Sequence, residues 1–143
     1  MTQKKNFNYN YYSCLDSKLT SPQPEQHYII NQKAKKENGH IVFYGSEEFS
    51  VFEHQPYIYE KVKRTPDIDG IVFFTLDQFC YAEKFNFHLI QKFLKNKITI
   101  HFAREDISLY NFNDLEYNLP LFISYQNTFS KRNIIAKTIL EIL

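Results

Sequence analysis

The sequence predicts an α/β domain: three layers, with a four-stranded parallel sheet in the order 2-1-3-4, flanked by helices and followed by extra C-terminal helices. Three observations predict it. The run from Asp67 to Gln78 is apolar through its middle, rich in β-branched and aromatic residues, preceded by Pro66 and closed by a polar pair. That is the pattern of a central strand buried on both faces that delivers polar groups at its C-terminal end. Strand-like segments also alternate with segments of helical spacing across short connections. Finally, 143 residues suffice for one domain with a real core, residues 1–143, and leave no room for a second.

Residues 7–15 alternate loosely and suit a first strand. A polar loop from Asp16 leads to Pro24, which fits a helix start because it has no N–H to leave unpaired. The first helix carries Lys33, Lys35 and Lys36 toward its C-terminal dipole and stops at Asn38-Gly39. His40 to Tyr44 form a second strand, a loop follows through His54, and a second helix covers about 55–63 before Thr65-Pro66 ends it. The central strand at 68–75 is third. Phe85, Leu89 and Phe93 at i, i+4 spacing place an amphipathic helix over 82–95. Residues 98–102 form the fourth strand. In the 116–143 region, Leu121, Phe122, Tyr125 and Phe129 precede a second apolar set from Ile134 to Ile142, with a break at Ser130–Asn133. Two such helices exceed what the sheet needs, so residues 121–143 are expected to form a homo-oligomer, the alternative being that both fold back over the sheet of their own chain.

Seventeen basic residues against sixteen acidic ones give a net charge of +1, too balanced for a nucleic-acid or membrane field. Three glycines, at 39, 45 and 70, exclude a glycine-rich phosphate loop. The N-terminus has no apolar leader, and no run is long enough to span a bilayer, so the expectation is a cytoplasmic protein with Cys14 and Cys80 reduced. The five histidines lack metal-ligand spacing; no metal and no cofactor are expected, and His101 reads as a core residue of its strand.

The strand ends should share one rim, because ligands of open α/β sheets gather beyond the carboxyl ends of the strands. That rim would collect Ser13, Ser46, Glu48, Gln78, Arg104 and Glu105. Glu48 and Glu105 are the candidate catalytic acid/base pair for a sugar hydroxyl or ring carbon. Gln78 would hold a substrate oxygen and Arg104 an anionic group, with Ser13 and Ser46 beside them. Gln23 and Gln26, opening the first helix, would read sugar hydroxyls, since amides donate and accept at once. The structural alternative is that such residues cap helices, Asp77 capping the 82–95 helix.

Leu76-Asp77-Gln78-Phe79 closing a strand resembles the Leu-Asp-Arg-Leu motif of the serine recombinase catalytic domain, and the likeness in element order covers residues 8–107. It implies a resolvase-like, flavodoxin-like fold. Gln78 stands where the arginine would be, and Tyr12-Ser13-Cys14-Leu15-Asp16 lacks the Arg-x-Ser pair, so recombinase chemistry is not implied. A second set of motifs is similar to the sporadic carbohydrate cluster family of bacterial surface-polysaccharide gene clusters. They are Tyr12-Ser13, Pro22-Gln23-x-x-Gln26, Ser46-Glu47-Glu48-Phe49, Ile68-Asp69-Gly70-Ile71-Val72-Phe73, Leu76-x-Gln78 and His101-Phe102-Ala103-x-Glu105. This resemblance implies a role in O-antigen or capsule synthesis. The ligand would be a nucleotide-sugar or glycolipid, or the partner a biosynthetic enzyme.

Overall fold

Val72 and its neighbours Ile71 and Phe73 are wholly buried, and they anchor the middle of a five-stranded, mostly parallel sheet. The computed structural model describes residues 9–16, 22–47, 57–81 and 84–142. Its elements run β1 (Tyr9–Asp16), α1 (Gln23–Lys36), β2 (Gly39–Glu47), α2 (Tyr57–Arg64) and β3 (Gly70–Phe73). A 3-10 turn (Leu76–Phe79) leads into the two-residue strands β4 (Cys80–Tyr81) and β5 (Lys84–Phe85). Then come α3 (Phe87–Lys95), β6 (Thr99–Phe102), β7 (Ile107–Leu109) and α4 (Phe112–Ile142). The main sheet has the order β2-β1-β3-β6-β7; β1 pairs in parallel with β2 and β3, β3 pairs in parallel with β6, and β7 runs antiparallel to β6.

Strand alternation sorts the side chains into two layers. Tyr12, Cys14, Ile71, Phe73, Ile100 and Phe102 face a large core closed by α2, α3 and the first half of α4. Tyr11, Leu15, Val72 and Phe74 face a smaller core closed by Ile30 and Ala34 of α1. Close backbone approach explains Gly70: a Cβ there would lie 2.1 Å from Thr99 Oγ1 and 2.9 Å from the Thr99 carbonyl. The residue lets β3 sit between its neighbours.

Four details differ from the sequence expectation. The sheet has a fifth strand, because the tight turn 103–106, with Asp106 at φ 55°, folds Ile107–Leu109 back along β6. The helix expected over 82–95 starts at Phe87; Phe85 belongs to β5, and Asn86 caps α3 by accepting the Leu89 N–H at 3.1 Å. Asp77 therefore does not cap that helix. The expected C-terminal helices are one 31-residue helix, α4, from Phe112 to Ile142: polar residues at 130–133 do not break a helix, and Pro120 sits inside it although it removes one intrahelical bond and crowds the carbonyl four residues back.

Candidate functional site

The C-terminal ends of β1, β3 and β6 meet around a hydrogen-bonded turn. Thr75 is its pivot. Its backbone N–H donates to Gln78 Oε1 at 2.9 Å, and its hydroxyl donates to Glu105 Oε2 at 2.6 Å and accepts from the Asp77 N–H at 3.3 Å. This reciprocal pairing of Thr75 and Gln78 is a capping box, which satisfies donors that a tight turn would otherwise orphan. Gln78 is fully buried and spends its amide nitrogen on the Cys14 carbonyl at 3.2 Å, so it ties β3 to β1. Glu105 also accepts from the Leu76 N–H at 3.0 Å and from Arg104 Nε at 3.1 Å.

Arg104 completes the ring by donating to Asp77 Oδ2 at 3.1 Å, and Asp77 accepts a second bond from the Tyr125 hydroxyl of α4. Burial tends to lower the Arg104 pKa, but the two carboxylates outweigh it and hold the group higher than usual. Tyr125 is pushed up by burial first and by the Asp77 carboxylate second, which keeps it a donor. The ring therefore joins three strand ends to α4.

The structure brings Gln78, Arg104 and Glu105 together. Ser13 lies farther down, in mid-β1 on the α1 side, fully buried, and its hydroxyl has no hydrogen-bond partner. Gln26 is fully buried in the first turns of α1, whereas Gln23 is exposed at the helix start. Ser46 is exposed near the end of β2. Glu48 lies outside the described residues. Cys14 is buried and Cys80 is half-buried, and neither forms a disulfide.

A second polar cluster lies on the α1 side, built from residues far apart in the sequence. Lys33 is 5% exposed, and its ammonium donates to Glu37 at 2.7 Å and to Asp106 at 2.8 Å. Lys36 adds a second ion pair to Asp106, and the Tyr110 hydroxyl donates to Glu37. Burial would raise the Glu37 pKa, but bonds from Lys33, Tyr110 and Ser108 outweigh it and bring it to about 2. Asp106 is lowered to about 2 by bonds from Lys33 and Lys36. His101 is fully buried between Thr99 and Ser108, each at 2.8 Å, and burial lowers it to about 3, so it is neutral. The i, i+4 spacing of Lys33 and Glu37 was the only part of this cluster visible in the sequence.

Among the described residues, no group of three or more His, Cys, Asp or Glu side chains is placed to hold a metal ion, and no helix is long and apolar enough to cross a membrane. Comparison with models of protein families and with curated proteins finds no match to this sequence.

Proposed function

We propose that this chain is a non-catalytic binding protein of bacterial surface carbohydrate synthesis, which holds a nucleotide- or lipid-linked sugar at the carboxyl end of its sheet in the cytoplasm. The carbohydrate context rests on the motif likeness to the sporadic carbohydrate cluster family. The preference for binding over catalysis rests on one observation: Glu105 already accepts bonds from a hydroxyl, a backbone amide and a guanidinium of its own chain. Both of its oxygens are engaged, and three of roughly four acceptor positions are spent within the fold, which orients the carboxylate for bracing and not toward a substrate proton. On this reading Glu105 is a brace and not half of an acid/base pair with Glu48. Ser13 and Gln26 are fully buried and do not face a ligand; Gln23 at the start of α1 and Ser46 near the end of β2, both exposed, remain as polar groups that can read hydroxyls. The resolvase-like fold is part of this proposal, supported by the parallel strands and by Leu76–Phe79 at a strand end. It comes without the arginine chemistry of that family.

A second reading has its own observation. Tyr117 and Leu121, one turn apart on α4, are 86% and 49% exposed. An exposed apolar pair of this kind fits a second copy of the chain or a biosynthetic enzyme that the protein regulates.

The test is ligand profiling of the purified chain against nucleotide-sugars and lipid-linked sugars, read by intact-complex mass and product analysis. Binding with unchanged ligand supports the proposal. Turnover overturns its non-catalytic part. Failure to retain any sugar ligand overturns the binding role and favours the partner reading.

A further inference from the structure

α1 is the helix that closes the smaller core, and the neighbouring strands β6 and β7 extend beyond it. The step between α1 and the 103–106 turn is a groove of about 520 Å³. Ile29 and Ala103 form its apolar floor, and Tyr28, 66% exposed, forms part of its wall. Lys35 and Lys36 stand on the helix side and Asp106 on the turn side. Beneath them Lys33, with almost no exposure, is fixed between Glu37 and Asp106.

We propose that this groove binds a glycosyl phosphate, the unit shared by nucleotide-linked and lipid-linked sugars. The proposal rests on the carbohydrate reading above and adds a contact area that adjoins the rim through Ala103 and Arg104. The chemistry follows from what lines the groove. Small-ligand sites combine apolar surface with a few placed polar groups. Tyr28 supplies a flat, exposed ring with an apolar body and a polar tip, suited to the C–H face of a pyranose. Gln32, also in the lining, both donates and accepts, as sugar hydroxyls require. Lysine ammoniums act as point charges for phosphate. Lys36 is 61% exposed at its side chain and is paired with Asp106, itself 48% exposed, so a phosphate oxygen can share it with little rearrangement. Lys35 is exposed beside it.

The experiment is an amide-resolved NMR titration of the full chain with glucose 1-phosphate, UDP-glucose, UDP, inorganic phosphate, and a polyprenyl-phosphate-linked glucose in detergent micelles. Glucose 1-phosphate is expected to perturb residues 28–36 and 103–106. UDP-glucose and the polyprenyl ligand distinguish the two carriers by which binds more tightly. Tyr28→Ala and the pair Lys35→Ala with Lys36→Ala change exposed side chains, and each should weaken glycosyl phosphate binding about tenfold or more. Thermal melts confirm that these variants fold. Inorganic phosphate binding as tightly as glucose 1-phosphate, with no effect of Tyr28→Ala, overturns the proposal. Binding that survives both groove variants but is lost in Gln23→Ala with Ser46→Ala, both exposed, also overturns it, while leaving the carbohydrate reading of the rim intact. No binding of any glycosyl phosphate overturns the groove and, with it, the nucleotide- and lipid-linked sugar reading of the rim.

Discussion

The Thr75 hydroxyl donates to Glu105 at 2.6 Å across 30 residues of sequence, and this bond joins the end of β3 to the turn that follows β6. Two neighbouring parallel strands are thus clamped at their carboxyl ends by side chains as well as by their ladder. The clamp is charge-assisted, the stronger kind of hydrogen bond.

Glu105→Ala should destabilise the fold by about 1–3 kcal/mol, because it leaves the Leu76 N–H and the Thr75 hydroxyl without their acceptor in a half-buried site. Glu105→Gln should cost less, since its remaining oxygen keeps the Leu76 bond and the Thr75 hydroxyl can turn to accept. Urea unfolding of the three proteins measures both. Equal stability of Glu105→Ala and the parent chain would show that the brace carries no energy.

Acid should weaken the fold in two windows. His101 is lowered from 6.5 to about 3, so the unfolded chain takes up its proton first and stability falls as pH drops below about 6.5. Glu37 is lowered from 4.5 to about 2, so its contribution is present above about 4.5 and is lost as pH falls toward 2. Each full proton of difference gives a slope of about 1.4 kcal/mol per pH unit. Denaturant midpoints measured from pH 8 to pH 3 test this. In His101→Gln the slope between 6.5 and 4.5 should flatten, whatever its absolute stability. An unchanged slope would mean that His101 is not the group titrating.

Gly70→Ala should destabilise by about 1–3 kcal/mol, through overpacking against Thr99 and the Tyr11 ring, 3.0 Å from the added carbon. The Thr99 carbonyl is backbone and cannot swing away. A thermal melt of the variant within a degree of the parent would show that β3 can shift to make room.

Light scattering at micromolar concentration should find a homodimer or larger assembly through α4. Leu121→Glu with Ile123→Glu, both at exposed positions, should yield a folded monomer. The same result is expected for Ile135→Asp with Ile139→Asp. A parent chain that is already monomeric counts against the assembly.

No covalent serine–DNA adduct should form. Ser13 is fully buried beneath α1, and Gln78 is engaged with Thr75 and Cys14. Denaturing gel analysis after incubation with duplex DNA checks this, and a Ser13 adduct would mean that β1 opens.

The central strand was legible because Ile71, Val72 and Phe73 need burial on both faces, a demand that few structures other than a central strand meet. Its end was placed two residues late: Phe74 and Thr75 are β-forming residues, but β3 stops at Phe73 because the Thr75 N–H bonds to Gln78 and not to a ladder partner. β4, β5 and β7 are two or three residues long, too short for alternation to register. Phe85 has true helical spacing with Leu89, yet Asn86 caps the helix one residue later. The rim residues were readable from their positions after strands. Their engagement with one another was not, because it depends on rotamers. The Lys33 cluster joins residues 33, 37, 101, 106 and 110, and no short pattern links α1 to β6 and the residues that flank β7.

Surface turns are ordinarily where a chain accepts foreign sequence most readily. The 103–106 turn inverts that expectation. Its consecutive residues reach opposite ways: Glu105 grips the end of β3, and Asp106 grips the lysines of α1. Lengthening it by even one residue would break the phase between those grips, so in a library of insertions this short exposed bend should be among the least permissive places on the surface.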